Sequence, residues 1–171
     1  MEIEIEQKTV AHPLAETIKL NSVKYDLATD PTFNAIKLCV IPVRIQGKQT
    51  RQIVDLLIDT AAEITVINEN FAKLLGVNNL KNVKCHGANG SSDVRQGEVD
   101  NIIIGSSDNS LSLGPSKVAI INMGDLYGKY NIVGLLGASA IQDIHLNVNY
   151  PQKYVEFCEI KIDDPCELSV I

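Results

Sequence analysis

Nowhere in the 171 residues do apolar side chains run unbroken for the length a helix needs to cross a bilayer, roughly 18 residues. No basic block stands out either. The 15 Lys and Arg residues are scattered and outnumbered by 21 Asp and Glu, leaving a net charge of -6 and a pI near 5.0. Such a balance argues against nucleic acid or an anionic membrane as partner. The opening stretch MEIEIEQKTV alternates acid with isoleucine, unlike the basic-then-apolar order of a secretory signal. A cytoplasmic setting is therefore expected.

Cysteine chemistry is thin. Cys39, Cys85, Cys158 and Cys166 are far apart, and no pair has the two-residue spacing of a zinc knuckle. Reduced, incidental thiols are the plain expectation for a cytosolic chain. His12, His86 and His145 are isolated from one another, and His86 and its neighbour Cys85 would point to opposite faces of an extended segment. Gly105 is followed by Ser-Ser-Asp, not by the Gly-Lys-Ser/Thr of a phosphate loop. Neither a metal nor a cofactor is expected. Internal repeats and low-complexity segments are also missing.

What the chain does have is enough apolar residue, 45%, for one globular core, and many short β signals. AIKLCVIPVRIQ (35–46) and TRQIVDLLID (50–59), separated by GKQ, read as a hairpin. ITVI (64–67) reads as a strand. NENFAKLLGV (68–77) reads as a helix capped by Asn68 and stopped by Gly76. Asn89-Gly90 marks a hairpin turn within 85–99. NIIIG (101–105), KVAII (117–121), HLNVNY (145–150) and KYVEF (153–157) add strands, whereas 106–116 reads as a loop and 122–131 as a polar, glycine-punctuated stretch. ASAIQDI (138–144) reads as a helical turn or two, and LAETIKL (14–20) as another; EIEIE near the start suggests an edge strand. The expected fold is mostly β, a small closed barrel-like lobe with one or two short helices.

One segment does not fit a purely structural role. In LLIDTAAEITVI (56–67) a carboxylate, Asp59, sits between two stretches made for burial. Unpaired charge there is costly. Taken alone, Asp59 also fits a turn aspartate after a strand, and the segment IVGLLG (132–137) also fits a buried strand with a bulge.

In order along the chain stand Asp59-Thr60-Ala61-Ala62 at a strand end, Ile64–Ile67, a glycine-bearing hairpin, IVGLLG before a short helix, and LNVNYPQKYVEF (146–157). This order resembles the retropepsin-like, or retroviral-type, aspartic proteases and their bacterial relatives. The resemblance covers 35–158, leaving 1–34 as an N-terminal arm and 159–171 as a tail. It implies that Asp59 is the catalytic aspartate and that Thr60 holds the two active-site loops together across a dimer. It further implies that Gly87, Ala88, Asn89 and Gly90 form a flap over the substrate, and that Leu135, Leu136 and Gly137 pack beside the active-site loop.

Such enzymes place two carboxylates face to face, sharing one proton. This chain has one such motif, so the resemblance implies a homodimer cutting polypeptide with one Asp59 from each copy. Ala61 departs from the family, which usually has glycine there. A positive φ at that position would strain alanine, and the alternative expectation is a weak or inactive module for dimerisation or peptide binding.

Overall fold

The computed structural model describes residues 17–87 and 90–162. The isoleucine–glutamate alternation near the start, the expected flap residues Ala88 and Asn89, and residues 163–171 lie outside them. The described chain begins with β1 (Thr17–Asp26), so Thr17–Leu20 is strand and not the expected helical turn. Pairing with a complementary strand overrides weak local helical preference. Asp30 then accepts a hydrogen bond from the Phe33 amide at 2.6 Å, and Pro31 opens α1 (Pro31–Ile36). An aspartate cap followed by proline at the first helical position is a favourable start.

β2 (Val40–Gln46) and β3 (Arg51–Asp59) form the expected hairpin, in register from Val40 opposite Leu57 to Gln46 opposite Arg51. β4 (Thr65–Asn68) leads into α2 (Glu69–Leu75). Asn68 caps it through the Asn70 amide at 2.9 Å, and Gly76 ends it at φ 67°. There a Cβ would be strained. β5 (Asn78–Gly87) and β6 (Gly90–Val99) form a long hairpin, followed by β7 (Asn101–Gly105), β8 (Ser110–Ser112) and β9 (Ser116–Ile121). After α3 (Asp125–Tyr130) come β10 (Gly134–Gly137), α4 (Ala138–Ile141), β11 (Ile144–Asn149) and β12 (Tyr154–Ile162). The fold is mostly β. Of its four short helices among the described residues, α2 and α4 fall where the sequence places them; α1 and α3 are additional.

Nine strands join in the order β5-β6-β9-β4-β10-β3-β2-β7-β8, and three more in the order β1-β12-β11. β3 and β4 are consecutive in sequence, yet β10 lies between them, parallel to β3 and antiparallel to β4. The core beneath contains Ile41, Val43, Ile45, Leu56, Ile67, Leu75, Ile102, Ile104, Val118 and Leu136, all fully buried. Each such aliphatic side chain contributes on the order of 1.5–3 kcal/mol.

Tyr25 fastens the small sheet to the large one. Its hydroxyl accepts from the Gly105 amide at 2.7 Å and donates to the Pro42 carbonyl at 3.1 Å. Its ring meets Phe157 edge-on, with centroids 6.3 Å apart. The Asn21 amide also reaches the Ser110 carbonyl, and the Asn109 amide reaches that of Ser22. Residues 17–26 are thus tied to β8 and the loop before it as well as to β12. Tyr25→Phe removes both hydroxyl bonds while keeping the ring. It should lower unfolding free energy by about 1–3 kcal/mol, read as a lower urea midpoint with unchanged slope.

Candidate active site

Asp59 is the last residue of β3, and two neighbours hold the strand on either side. The Ile58 amide donates to the Cys39 carbonyl at 2.9 Å. On the opposite edge β10 runs parallel, so that Gly134 lies beside Leu56 and Gly137 beside Asp59. A Cβ on Gly134 would lie 2.0 Å from the Val66 carbonyl oxygen, and one on Gly137 would lie 2.3 Å from the Ile64 carbonyl carbon. Only glycine permits so close an approach of backbones. Leu136 between them is fully buried and Leu135 partly so. The three residues singled out in this segment do meet the aspartate strand.

Beyond Asp59 the chain turns tightly. One carboxylate oxygen of Asp59 accepts from the Ala61 amide at 3.0 Å, and its carbonyl accepts from the Ala62 amide at 3.2 Å. The loop is then fastened from the start of α4: the Ala138 amide donates to the Ala62 carbonyl at 2.8 Å, and the Ser139 amide to the Glu63 carbonyl at 2.9 Å. The first amides of a helix have no partner within it, and here the aspartate loop supplies the acceptors. Thr60 and Ala61 are exposed, and Asp59 and Ala62 are half-buried. The carboxylate therefore sits on a rigid loop at an open face.

Ala61 carries no left-handed strain. Among the described residues the non-glycine positions with positive φ are Lys37, Asn131 and Lys153. The backbone at residue 61 is one that alanine adopts freely, and its N–H is engaged by the aspartate.

The β5–β6 hairpin projects from the sheet. β6 pairs with β9 only from Arg95 to Val99, while its pairing with β5 continues to Gly87 opposite Gly90. The outer part is thus a two-stranded ribbon with glycines at its tip. In that outer part each strand has only the other as a backbone partner.

Two further polar residues, one at the site and one farther up β3, were not evident from the sequence. Thr65, in the apolar run ITVI, is fully buried and its hydroxyl accepts from the Gly137 amide at 3.2 Å. A hydroxyl placed among strand aliphatics was the available signal. Asp55, four residues before Asp59 on the same face of β3, lies roughly 13 Å away along an extended strand and belongs to no shared site. Burial pushes its carboxyl up from the ordinary carboxylate value, and nearby Asp30 adds to the shift. No group of three His, Cys, Asp or Glu among the described residues could hold a metal ion.

A family model described as aspartyl protease matches residues 41–140, more than half of the chain. Among solved structures, a retropepsin-like aspartic protease from Rickettsia conorii superposes with a TM-score of 0.56 at 15% identity, covering 85% of this chain and 95% of that one. At that identity the likeness is one of fold. The EIAV protease complexed with the inhibitor HBY-793 aligns with a TM-score of 0.43 at 19% identity, over 66% of this chain and 92% of that chain. No curated protein matches the sequence.

Two outcomes are expected from this geometry. Ala61→Gly relieves no strain, so it should leave stability unchanged or lower it by about 1 kcal/mol or less through added unfolded-state entropy; thermal unfolding reads the change. Asp55 makes stability depend on pH. Its folded pKa is raised, so its contribution is fully present below the unfolded value near 3.8 and is lost as pH rises through the folded one. Asp55→Asn should therefore be more stable than wild type near neutral pH. That advantage should shrink on acidification and vanish once both carboxyl states are neutral, as urea titrations at several pH values would show.

Proposed function

The chain belongs to the aspartyl protease family, and from that premise we propose that it is a homodimeric aspartic endopeptidase whose active site pairs Asp59 of two copies. The observation that carries this reading is the Asp59 loop itself. A carboxylate at a strand end is held by β10 and α4, while the adjoining Thr60 and Ala61 are exposed. A single copy carries one such strand-end Asp-Thr motif. A second copy placed about a twofold axis would bring an identical loop against it.

In that arrangement two carboxylates roughly 3 Å apart cannot both ionise, so they share one proton. The ionised Asp59 takes a proton from a water held between the pair, and the water oxygen forms a bond to the scissile carbonyl carbon. The protonated Asp59 gives its proton to the carbonyl oxygen. When the resulting tetrahedral diol collapses, the C–N bond breaks, the now protonated Asp59 gives its proton to the leaving amine, and the ionised one takes a proton from a diol hydroxyl, so that acid and amine leave and the dyad again holds one proton. The apparent pKa values belong to the pair and not to either carboxyl alone.

The remaining residues take supporting parts. Thr60, exposed in one copy, would hydrogen-bond across the axis beneath the carboxylates. The ribbon ending at Gly87 and Gly90, together with Ala88 and Asn89 between them in sequence, would close over an extended polypeptide and exclude water. Leu135, Leu136 and Gly137 set the position of the aspartate strand. We assign the catalytic lobe to residues 35–158, with the strand from the preceding arm completing the small sheet. The alternative of a non-catalytic module drew its support from Ala61. An unstrained backbone there, with its N–H bonded to Asp59, favours catalysis.

Asp59→Asn keeps the shape of the side chain but removes proton sharing. Peptide hydrolysis should fall roughly a thousandfold or more, with the thermal unfolding curve little changed. Wild-type specific activity should also decline on dilution through the dimer dissociation constant, as mass action requires. Full activity from a chain shown by sedimentation to be monomeric would reject the shared site.

A further inference from the structure

Thr65 and Asn68 are the buried polar residues of the core among the described residues, and both lie in β4. Both also hold the inserted strand. The Asn68 backbone N–H donates to the Val133 carbonyl at 2.8 Å, just before β10 begins. The Thr65 hydroxyl accepts from the Gly137 amide at 3.2 Å, where β10 ends. Between these points the β10–β4 ladder covers Gly134 opposite Ile67 and Leu135 opposite Val66, and goes no further. Gly137 lies so close to Ile64 that the backbones nearly touch, yet its N–H is met by a side chain and not by the ladder. The hydroxyl thus takes over where backbone pairing stops.

We propose that Thr65 is a positioning residue for the Asp59 carboxylate, acting through Gly137. This rests on the reading of Asp59 as catalytic. Gly137 is the residue of β10 in register with Asp59. Its amide and those of Ala138 and Ser139 form three successive bonds to Thr65, Ala62 and Glu63. Two of the acceptors are backbone carbonyls; Thr65 supplies the one side chain. Deleting its hydroxyl leaves a buried N–H without a partner, and the local escape is for Gly137 to shift away from β4. A shift there moves Asp59 and its bond from the Ala61 amide, whereas the substrate contacts assigned to the flap are untouched.

The test uses the full chain with Thr65→Val, which keeps shape and loses the hydroxyl, and Thr65→Ser, which keeps the hydroxyl. Misplacement of a reacting group by about an ångström can cost a hundredfold. Thr65→Val should therefore lower kcat roughly ten- to a hundredfold with KM nearly unchanged, and Thr65→Ser should restore most of the loss. In nitrogen-15 NMR spectra the amide signals of Gly137 and Ala61 should both move in the valine variant and return in the serine variant. Lowered stability with unchanged kcat and an unmoved Ala61 signal would overturn the proposal and leave Thr65 a structural residue. Should Thr65→Val fail to fold, Thr65→Cys, a weaker acceptor of similar size, must show a reduced kcat, and wild-type kcat would overturn the idea. If wild type and Asp59→Asn are equally inert, the catalytic reading falls, and the Ala61 signal alone still decides whether Thr65 controls the aspartate loop.

Discussion

The insertion of β10 between β3 and β4 is the contact on which the rest of this molecule depends. It covers only four residues, Gly134 to Gly137, but it pairs on both sides. Two glycines allow the approach, because a methyl at either would overlap backbone atoms of Ile64 or Val66. Of the two leucines between them, Leu136 supplies apolar burial along with Leu56 and Ile67, all three fully excluded from water. Close backbone approach at the two ends and aliphatic burial within thus come from one short strand. The strand that carries Asp59 would otherwise have only β2 as a neighbour, and the loop after it would have no backing.

Rigidity and exposure are divided along the same line. Behind Asp59 the hydrogen bonds are dense: Cys39 to Ile58, Val133 to Asp55, and the amides of α4 to the loop. In front, Thr60 and Ala61 are exposed. Preorganisation of this kind places the cost of ordering the loop in folding, not in substrate binding. The projecting hairpin is the opposite case, with each outer strand paired only to the other. The same sheet thus carries a braced loop at Asp59 and a hairpin that extends beyond its pairing with β9.

Polar groups inside the fold follow the ordinary rule that burial demands a partner. Tyr25, Thr65 and Asn68 each satisfy a backbone group belonging to a different element. Cys39 is buried beside Tyr150, and burial pushes its thiol up. Asp55 is the exception. It is half-buried near another carboxylate, with both influences disfavouring its charge, so it works against stability near neutral pH.

Much of the fold was legible locally. β2, β3, β7, β9 and α2 stand close to where periodicity, caps and turn residues put them, because those signals act over a few residues. Asn68 before α2 and Gly76 after it announce the helix in both sequence and structure. The Asp59 motif and the glycine-flanked Leu135-Leu136 segment could likewise be picked out as linked features of one family pattern. α3 was not legible: it has Gly128 inside it and no side-chain cap, and its stretch reads as a loop. β1 was hidden for another reason, since its partner, β12, lies more than 120 residues away in the chain and no local preference reports it. The same holds for Thr65. Sequence alone determined where several strands, the α2 caps and the hairpin turns fall, and that one carboxylate stood out of place. Only tertiary structure decided that Gly137 lies beside Asp59, that Thr65 bonds its amide, and that Ala61 is unstrained, because each depends on distant backbones packing at contact distance.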